Sequence, residues 1–334
     1  MPFQAEKDLV RGLYAEIDNA ADDALPDILA RYLSPDAIWR GFHPFNEKTG
    51  PIAVAEEFWQ PLRRALTSMQ RRMDIFFAGQ NEIDGFNSVW VVSMGHLVGL
   101  FDTPWLGIAP TSKMAFLRYC EFNRVSEGRI VETAMYFDIP HLMMQAGVQP
   151  FEPQTAAHLV QPGPMTHAGL LFDPQPEAEG QATLEAINAM IGDLGTWQLG
   201  LPLEEELART WHDDMIWWGP AGIGATYTIA RYAEQHSRPF RAAFSERSST
   251  GHLCRLAEGN FGGFFGWPNF TARLTGPFMG MAPTGNMGEF RVIDLYRREG
   301  SKLAENWIFI DLLHFWKTQG FDILKDGPLR QTPR

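Results

Sequence analysis

Pro104-Trp105-Leu106-Gly107-Ile108-Ala109-Pro110-Thr111 returns 173 positions later as Pro277-Phe278-Met279-Gly280-Met281-Ala282-Pro283-Thr284. The match continues without a gap through Met114, Arg118, Arg124, Glu132, Asp138, His141 and Gly147, whose counterparts end at Gly320, giving 12 identities in 44 positions. An earlier block repeats at a shift of 178. It sets Leu29-Ala30-Arg31 on Leu207-Ala208-Arg209, Asp36 on Asp214, Ile38-Trp39 on Ile216-Trp217 and Gly41 on Gly219. Ala55-Glu56, Pro61, Arg63 and Ala65 are also matched, for 12 identities in 38 positions. Average composition would leave roughly 6% agreement by chance, about two positions. The chain is therefore one domain written twice, and the fall in shift from 178 to 173 is a five-residue shortening of the kind surface loops tolerate.

The length of 334 residues suits two domains of roughly 150 each. Pro150 to Gln181 holds six prolines and little apolar periodicity, which reads as an extended linker. The expected organisation is a first domain over 1–149, a linker over 150–181 and a second domain over 182–334.

Within copy 1, Leu9, Val10, Leu13, Tyr14 and Ile17 form a helical stripe, and a second helix is expected over Leu25 to Leu33. Leu184, Ile187, Ile191 and Leu194 answer in copy 2. A short strand over Ala37 to Gly41 precedes a helix of about Ile52 to Met69, and strands then follow at Met73 to Phe77, Ser88 to Val98, Lys113 to Arg124 and Arg129 to Phe137. Ser126-Glu127-Gly128 joins the last two as a hairpin. Helices followed by an antiparallel meander define an α+β domain, with a curved sheet packed on about three helices as a cone, and such a cone leaves a cavity suited to a small apolar ligand. Two such cones stand in tandem. The last strand is apolar on both faces, with Ala134 and Tyr136 on one and Met135 and Phe137 on the other, so it must be covered twice. Helices cover one side, and the sister sheet is expected on the other, making an internal pseudo-dimer.

The formal charge of −12, with pI near 5.2, sets nucleic acid and anionic membranes aside as main partners. Two cysteines, Cys120 and Cys254, make neither a disulfide framework nor a metal site. The opening segment carries Glu6, Lys7 and Asp8 without an apolar core, and no long uncharged apolar window occurs, so a soluble cytoplasmic protein is expected. The expected partner is a small hydrophobic molecule, and pairing of whole chains into a homodimer stays open.

The chemistry-bearing candidates recur between copies. Glu132, Ala134, Tyr136 and Asp138 share one face of the last strand, as Glu305, Trp307, Phe309 and Asp311 do in copy 2. Asp138 and Asp311 lie between apolar neighbours, where burial would raise a carboxyl into the range useful for proton transfer; each also stands where it would cap the short helix that follows. Both readings stay open. His141 and His314 fall three residues further on, but no third ligand recurs at matching spacing and no metal is expected. His96 lies mid-strand between apolar neighbours and either finds a core partner or faces the cavity. Trp39 and Trp217 line a cavity or fill the core, and Arg118 and Arg291 are expected to pair with Glu132 and Glu305. No glycine-rich phosphate loop is present, so nucleotide binding is unsupported.

These residues resemble the SnoaL-like polyketide cyclases of the nuclear-transport-factor-2-like fold. In copy 2, Gly276 to Gly285 looks like the family's Gly-x-Pro-Pro-Thr-Gly turn. Lys302-Leu303-Ala304-Glu305-Asn306-Trp307, Asp311 and Gln319-Gly320 resemble its Gly-Lys-Ile-x-Glu-x-Trp strand, its Asp and its Leu-Gly ending. Copy 1 repeats the pattern with Leu106 to Thr111, Gly128 to Glu132 and Asp138, and Gly95-His96 is similar to the family's Gly-Thr-His. Copy 2 has Pro268-Asn269 in that place, and copy 1 has Ala134 where copy 2 has Trp307. The resemblance implies cofactor-free acid/base chemistry, an aldol-type ring closure or enolisation, with Asp138 and Asp311 as acid/base and His96 or Asn269 polarising the oxygen. Trp39, Trp217, Tyr136, Trp307, Phe309 and Tyr14 would bind the substrate. The alternatives are a non-catalytic binding protein of the same fold, or an isomerase or epoxide hydrolase on the same scaffold.

Overall fold

The computed structural model describes residues 3–152, 155–194 and 201–329. Both copies build the expected α+β cone. In the first, the helices Gln4–Asn19 and Leu25–Tyr32 bury Val10, Leu13, Tyr14, Ile17, Leu25, Ile28 and Leu29 against the concave face of a six-stranded sheet. Its strands are β1 (Leu33–Gly41), β2 (Asn46–Thr49), β3 (Leu66–Gln80), β4 (Val89–Phe101), β5 (Met114–Ser126) and β6 (Arg129–Phe137), in the order β2-β1-β6-β5-β4-β3. The meander β3 to β6 is antiparallel, as its short connections require, and β1 joins parallel to β6. Glu127 and Gly128, both at positive φ, make the tight turn between β5 and β6.

The second copy repeats the sheet with β7 (Trp211–Trp218), β8 (Ala225–Tyr227), β9 (Phe244–Ser249), β10 (Cys254–Glu258), β11 (Phe261–Leu274), β12 (Met287–Glu299) and β13 (Lys302–Ile310). The order is β10-β11-β12-β13-β7-β8, with β9 also on β11, so the single long β3 of copy 1 is represented here by two pieces. The helix Glu177–Leu194 covers this sheet and begins inside the segment read as linker. Among the described residues no helix is long and apolar enough to cross a membrane.

The helix expected over Ile52 to Met69 is shorter and broken. It runs as Pro51–Val54, a widened π turn over Ala55–Trp59, and Gln60–Ala65, after which Leu66 and Thr67 enter β3 opposite Phe101 and Leu100. Pro61 explains the widening, because it has no N–H to donate and its ring crowds the carbonyl four residues back. Pro239 does the same in copy 2, where the π turn covers Ala233–Ser237. Leu66 and Met69 suit a helix face or a strand equally well, and cross-strand pairing decides between them.

Gly41 and Gly219 recur because a Cβ at either would stand within about 2.2 Å of the ring of Trp39 or Trp217 two residues back.

The two sheets pack on each other through their convex faces. Phe265 meets Trp90, Phe122 and Tyr136 edge-on, and the Tyr136 hydroxyl donates to the Gly266 carbonyl at 2.9 Å. The connecting segment lies against both copies: Leu170 bridges to Phe76 and Ala157 to Ala225, while the Trp307 indole N–H donates to the Pro162 carbonyl.

Candidate functional site

The paired aspartates stand on the face between the copies. Asp138 caps the helix Ile139–Gln145: Oδ1 accepts the His141 N–H at 3.0 Å, and Oδ2 accepts the Ala221 N–H of copy 2 at 2.9 Å. Asp311 mirrors it, with Oδ1 on the His314 N–H at 3.0 Å and Oδ2 on the His43 N–H of copy 1 at 2.9 Å. His43 and Ala221 occupy the same repeat position, so the two bonds are related by the pseudo-twofold. Burial pushes the Asp311 carboxyl up, opposed by His314, the two amides and Arg291. The helix-cap alternative is what the geometry shows, extended to a tie between domains. Asp138 borders a water-sized space of about 10 Å³ together with Arg118, His141 and Ala221.

The arginines correct a second expectation. Arg124 and Arg297, directly across the hairpins, meet Glu132 and Glu305. Arg118 and Arg291 instead serve the interface. Arg118 donates to the carbonyls of Ile308 and Trp218 and lies 3.9 Å from the Phe309 ring, while Arg291 Nη1 lies 3.7 Å from Asp311.

The other expected residues are held by packing and hydrogen bonds within the sheets and the core. Tyr136, Trp307 and Phe309 are committed to the contacts above. His96 lies on the same convex face, with Nδ1 3.4 Å from Asp74 Oδ2 and its ring edge-on to Phe116. Asn269 fills an irregularity of β11 and accepts the Val292 N–H at 2.8 Å. Tyr14 is buried in copy 1 and donates to Glu121 at 2.7 Å beneath the Arg71 guanidinium. Trp39 packs on Phe58 and Phe45 in the core.

Trp217 is the exception. It lines a cavity of about 120 Å³ inside the second cone, with Met190, Leu207, Phe240, Phe270, Phe290, Ile308 and Ile310 as apolar walls. The π turn delivers His236 flat against the indole, with ring centroids 4.1 Å apart and planes 19° apart. The polar groups are Asp294 and Tyr296 on β12, Asn306 on β13, Tyr232 from the helix Ile229–Tyr232, and Arg241 and Arg247. Asp294 is 7% exposed. Asn306 Nδ2 donates to its Oδ1 at 3.1 Å, and the Tyr296 hydroxyl donates to the same carboxylate. Burial outweighs both bonds and pushes the carboxyl up to about 7. Burial also holds His236 down to about 3, so the imidazole is neutral at working pH, and raises Tyr232 and Tyr296, which stay protonated donors.

The equivalent volume of copy 1 is occupied by larger side chains. Phe58 stands for His236, Tyr119 for Val292, Glu121 for Asp294 and Phe137 for Ile310. Phe58 stacks on Phe137 at 5.1 Å, and Arg71 lies over Tyr14 and Tyr119. The duplication has one cone built around side chains and one built around a space.

An acid-lined aromatic cavity in a helix-covered α+β cone, carried in one half of a tandem pseudo-dimer, defines the class. Residues 207–317, within the second repeat, match the family model of the SnoaL-like polyketide cyclases. No curated protein matches the chain in sequence. Among solved structures, it is similar to a SnoaL-like protein from Jannaschia sp. CCS1 (18% identity, 43% of this chain and 93% of that one, TM-score 0.35). An NTF2-like protein from Burkholderia xenovorans LB400 is similar at 16% identity, over 42% of this chain and 97% of that one, with TM-score 0.33. TsrD from Streptomyces laurentii is similar at 18% identity, over 41% and 96%, with TM-score 0.32.

Proposed function

We propose that the second cone carries out cofactor-free acid/base chemistry on a small hydrophobic carbonyl compound, with Asp294 as the proton-transferring group. The observation that carries this reading is a buried carboxyl, held near pH 7, facing an aromatic cavity. In the proposed step the carboxylate takes a proton from a carbon beside the substrate carbonyl, and the electron pair moves onto the carbonyl oxygen. The Tyr232 hydroxyl and the neutral His236 imidazole are the donors available to that oxygen. The enolate carbon then either regains a proton or attacks a second carbonyl, forming a C–C bond while the Asp294 acid protonates the new alkoxide.

Size narrows the substrate. An apolar cavity of roughly 150 Å³ accepts benzene, so about 120 Å³ suits a single ring rather than a fused system.

The test follows α-proton exchange into D2O by NMR for a panel of one-ring ketones and β-diketones. Wild type is expected to exchange at least one of them well above buffer. Asp138→Asn and Asp311→Asn are expected to stay within a few-fold of wild type while losing about 1–3 kcal/mol of stability in thermal melts, the value of a buried cap and charged hydrogen bond. Loss of exchange in either interface variant, with Asp294→Asn active, would return the chemistry to the last-strand aspartates and sink this assignment.

A further inference from the structure

Asn306 lies on β13 directly opposite Tyr296 and one diagonal step from Asp294, whose own cross-strand partner is Ile308. It is 2% exposed. Its amide nitrogen donates to the Leu295 carbonyl at 2.9 Å and to Asp294 Oδ1 at 3.1 Å, which spends both of its hydrogens. A backbone carbonyl can only accept, so the nitrogen rather than the oxygen of the amide must stand on this side. The first bond locks the side chain, and the locked side chain aims the second. Copy 1 solves the same problem differently. There Glu121, the counterpart of Asp294, takes its bond from Tyr14 of the covering helix at 2.7 Å, while Thr133, the counterpart of Asn306, donates to Asn123 at 2.8 Å. In copy 2 the covering helix brings Met190 and Leu194 to the cavity, and neither has a hydrogen to donate. The Asp294 carboxyl is held from within the sheet, and the side toward that helix opens on the cavity.

We propose that Asn306 is a positioning residue that decides which oxygen of Asp294 carries the transferable proton: Oδ1 accepts the amide N–H in both ionisation states, and the proton arrives at and leaves from Oδ2. This assignment rests on Asp294 being the proton-transferring group of the second cone. A hydroxyl such as that of Tyr296 can turn from donor to acceptor when the carboxyl takes up its proton, but an amide nitrogen cannot. In the enolisation step the α-proton therefore passes to Oδ2, the C–H electron pair moves onto the substrate carbonyl oxygen, and Oδ2 later returns the proton. The same bond strengthens when the carboxyl ionises, so Asn306 draws the acid down against the effect of burial.

The full chain labelled with carbon-13 at the aspartate carboxyl carbons and titrated by NMR tests the assignment without a substrate, the Asp294 signal being the one missing from Asp294→Asn. Two variants are compared with wild type: Asn306→Leu, and Asn306→Thr, the residue copy 1 carries at that position. Asp294 is expected to titrate about one to two units higher in Asn306→Leu, as for one lost charge-assisted bond, and at least about half a unit higher in Asn306→Thr. The titratable groups that share the cavity, Tyr232, His236, Arg241, Arg247 and Tyr296, are the same in all three proteins. Proton exchange by Asn306→Leu is expected to fall about tenfold or more at pH 6 and to come within a few-fold of wild type by pH 9, with KM changed less than about twofold. A residue needed only for packing would lower exchange by one factor at every pH. Should Asn306→Leu fail to fold, Asn306→Thr carries the comparison. An Asp294 signal that titrates as in wild type in the folded variants, or a loss of exchange that is flat with pH, would overturn the proposal. If wild type exchanges none of the ketones, the acid/base reading fails, and the carboxyl titration still decides whether Asn306 holds Oδ1.

Discussion

Asp294→Asn is expected to lower exchange or turnover by 10²- to 10⁴-fold, the usual contribution of a positioned acid/base group, and at the same time to make the protein more stable above pH 7. The second half follows from linkage. Burial raises the folded-state carboxyl from 3.8 to about 7, so the protonated form is the one the fold favours. That contribution is complete below about pH 4 and is lost as pH rises through about 7, where ionising the buried group costs up to about 4 kcal/mol at 1.36 kcal/mol per unit. Asparagine occupies the same space and cannot ionise. The difference in unfolding free energy between variant and wild type should therefore open across pH 4 to 7 in the variant's favour. Urea melts at pH 4, 6 and 8 measure it. In the same range, kcat/KM of wild type should climb with pH and level off above about 7, because the base must be ionised. A stability difference that stays flat with pH would mean that Asp294 is not held protonated by the fold.

Such a trade of stability for reactivity is expected of a working site and foreign to a structural tie. Asp138 and Asp311 show the contrast. Their oxygens are satisfied by backbone N–H groups, two of which cross between the domains.

This contrast also explains which parts of the molecule were legible beforehand. The duplication, the helices at Leu9–Ile17 and Leu25–Leu33, the β5–β6 hairpin and the burial of both sheet faces are carried by identity and periodicity, which are local and redundant. The site is carried by neither. Residues identical in both copies, such as Arg118 and Arg291 or Asp138 and Asp311, hold the pseudo-twofold together, because both halves must present the same surface to each other. The cavity is open in one half through positions where the halves differ, His236 against Phe58 and Asp294 against Glu121, although Leu207 and Trp217 on its wall recur as Leu29 and Trp39. Searching for what recurs therefore leads to the interface and, through Trp217, to one wall of the cavity, but not to its acid. The available signal was a carboxylate, Asp294, between Ile293 and Leu295 on a strand whose alternate positions, Val292 and Tyr296, belong to the concave face. Which cone is filled depends on summed side-chain volume across distant elements, and no short window carries that sum.

The largest structural effect is expected at Lys7, on the first helix and wholly shielded from solvent. Its ammonium donates to Glu258 Oε1 at 2.6 Å and to the Leu171 carbonyl at 2.7 Å, so one cation joins the first helix, the connecting segment and β10 of the second copy. Glu258 in turn accepts the Ala78 N–H at 2.8 Å from β3. Burial pushes the Glu258 carboxyl up, against the pull of Lys7 and the Ala78 amide. Lys7→Met keeps the aliphatic length but leaves that carboxylate buried without its cation, a change that costs about 3–5 kcal/mol. The loss should grow with pH, because the unpartnered carboxyl is tolerated only when protonated. Lys7→Met combined with Glu258→Gln removes both charges and should recover part of the loss, giving a coupling of at least about 1 kcal/mol in a double-mutant cycle read from urea midpoints. Additive losses in that cycle would show that the two groups act independently, and that the domains are held by the aromatic contacts of Phe265 and the aspartate ties alone.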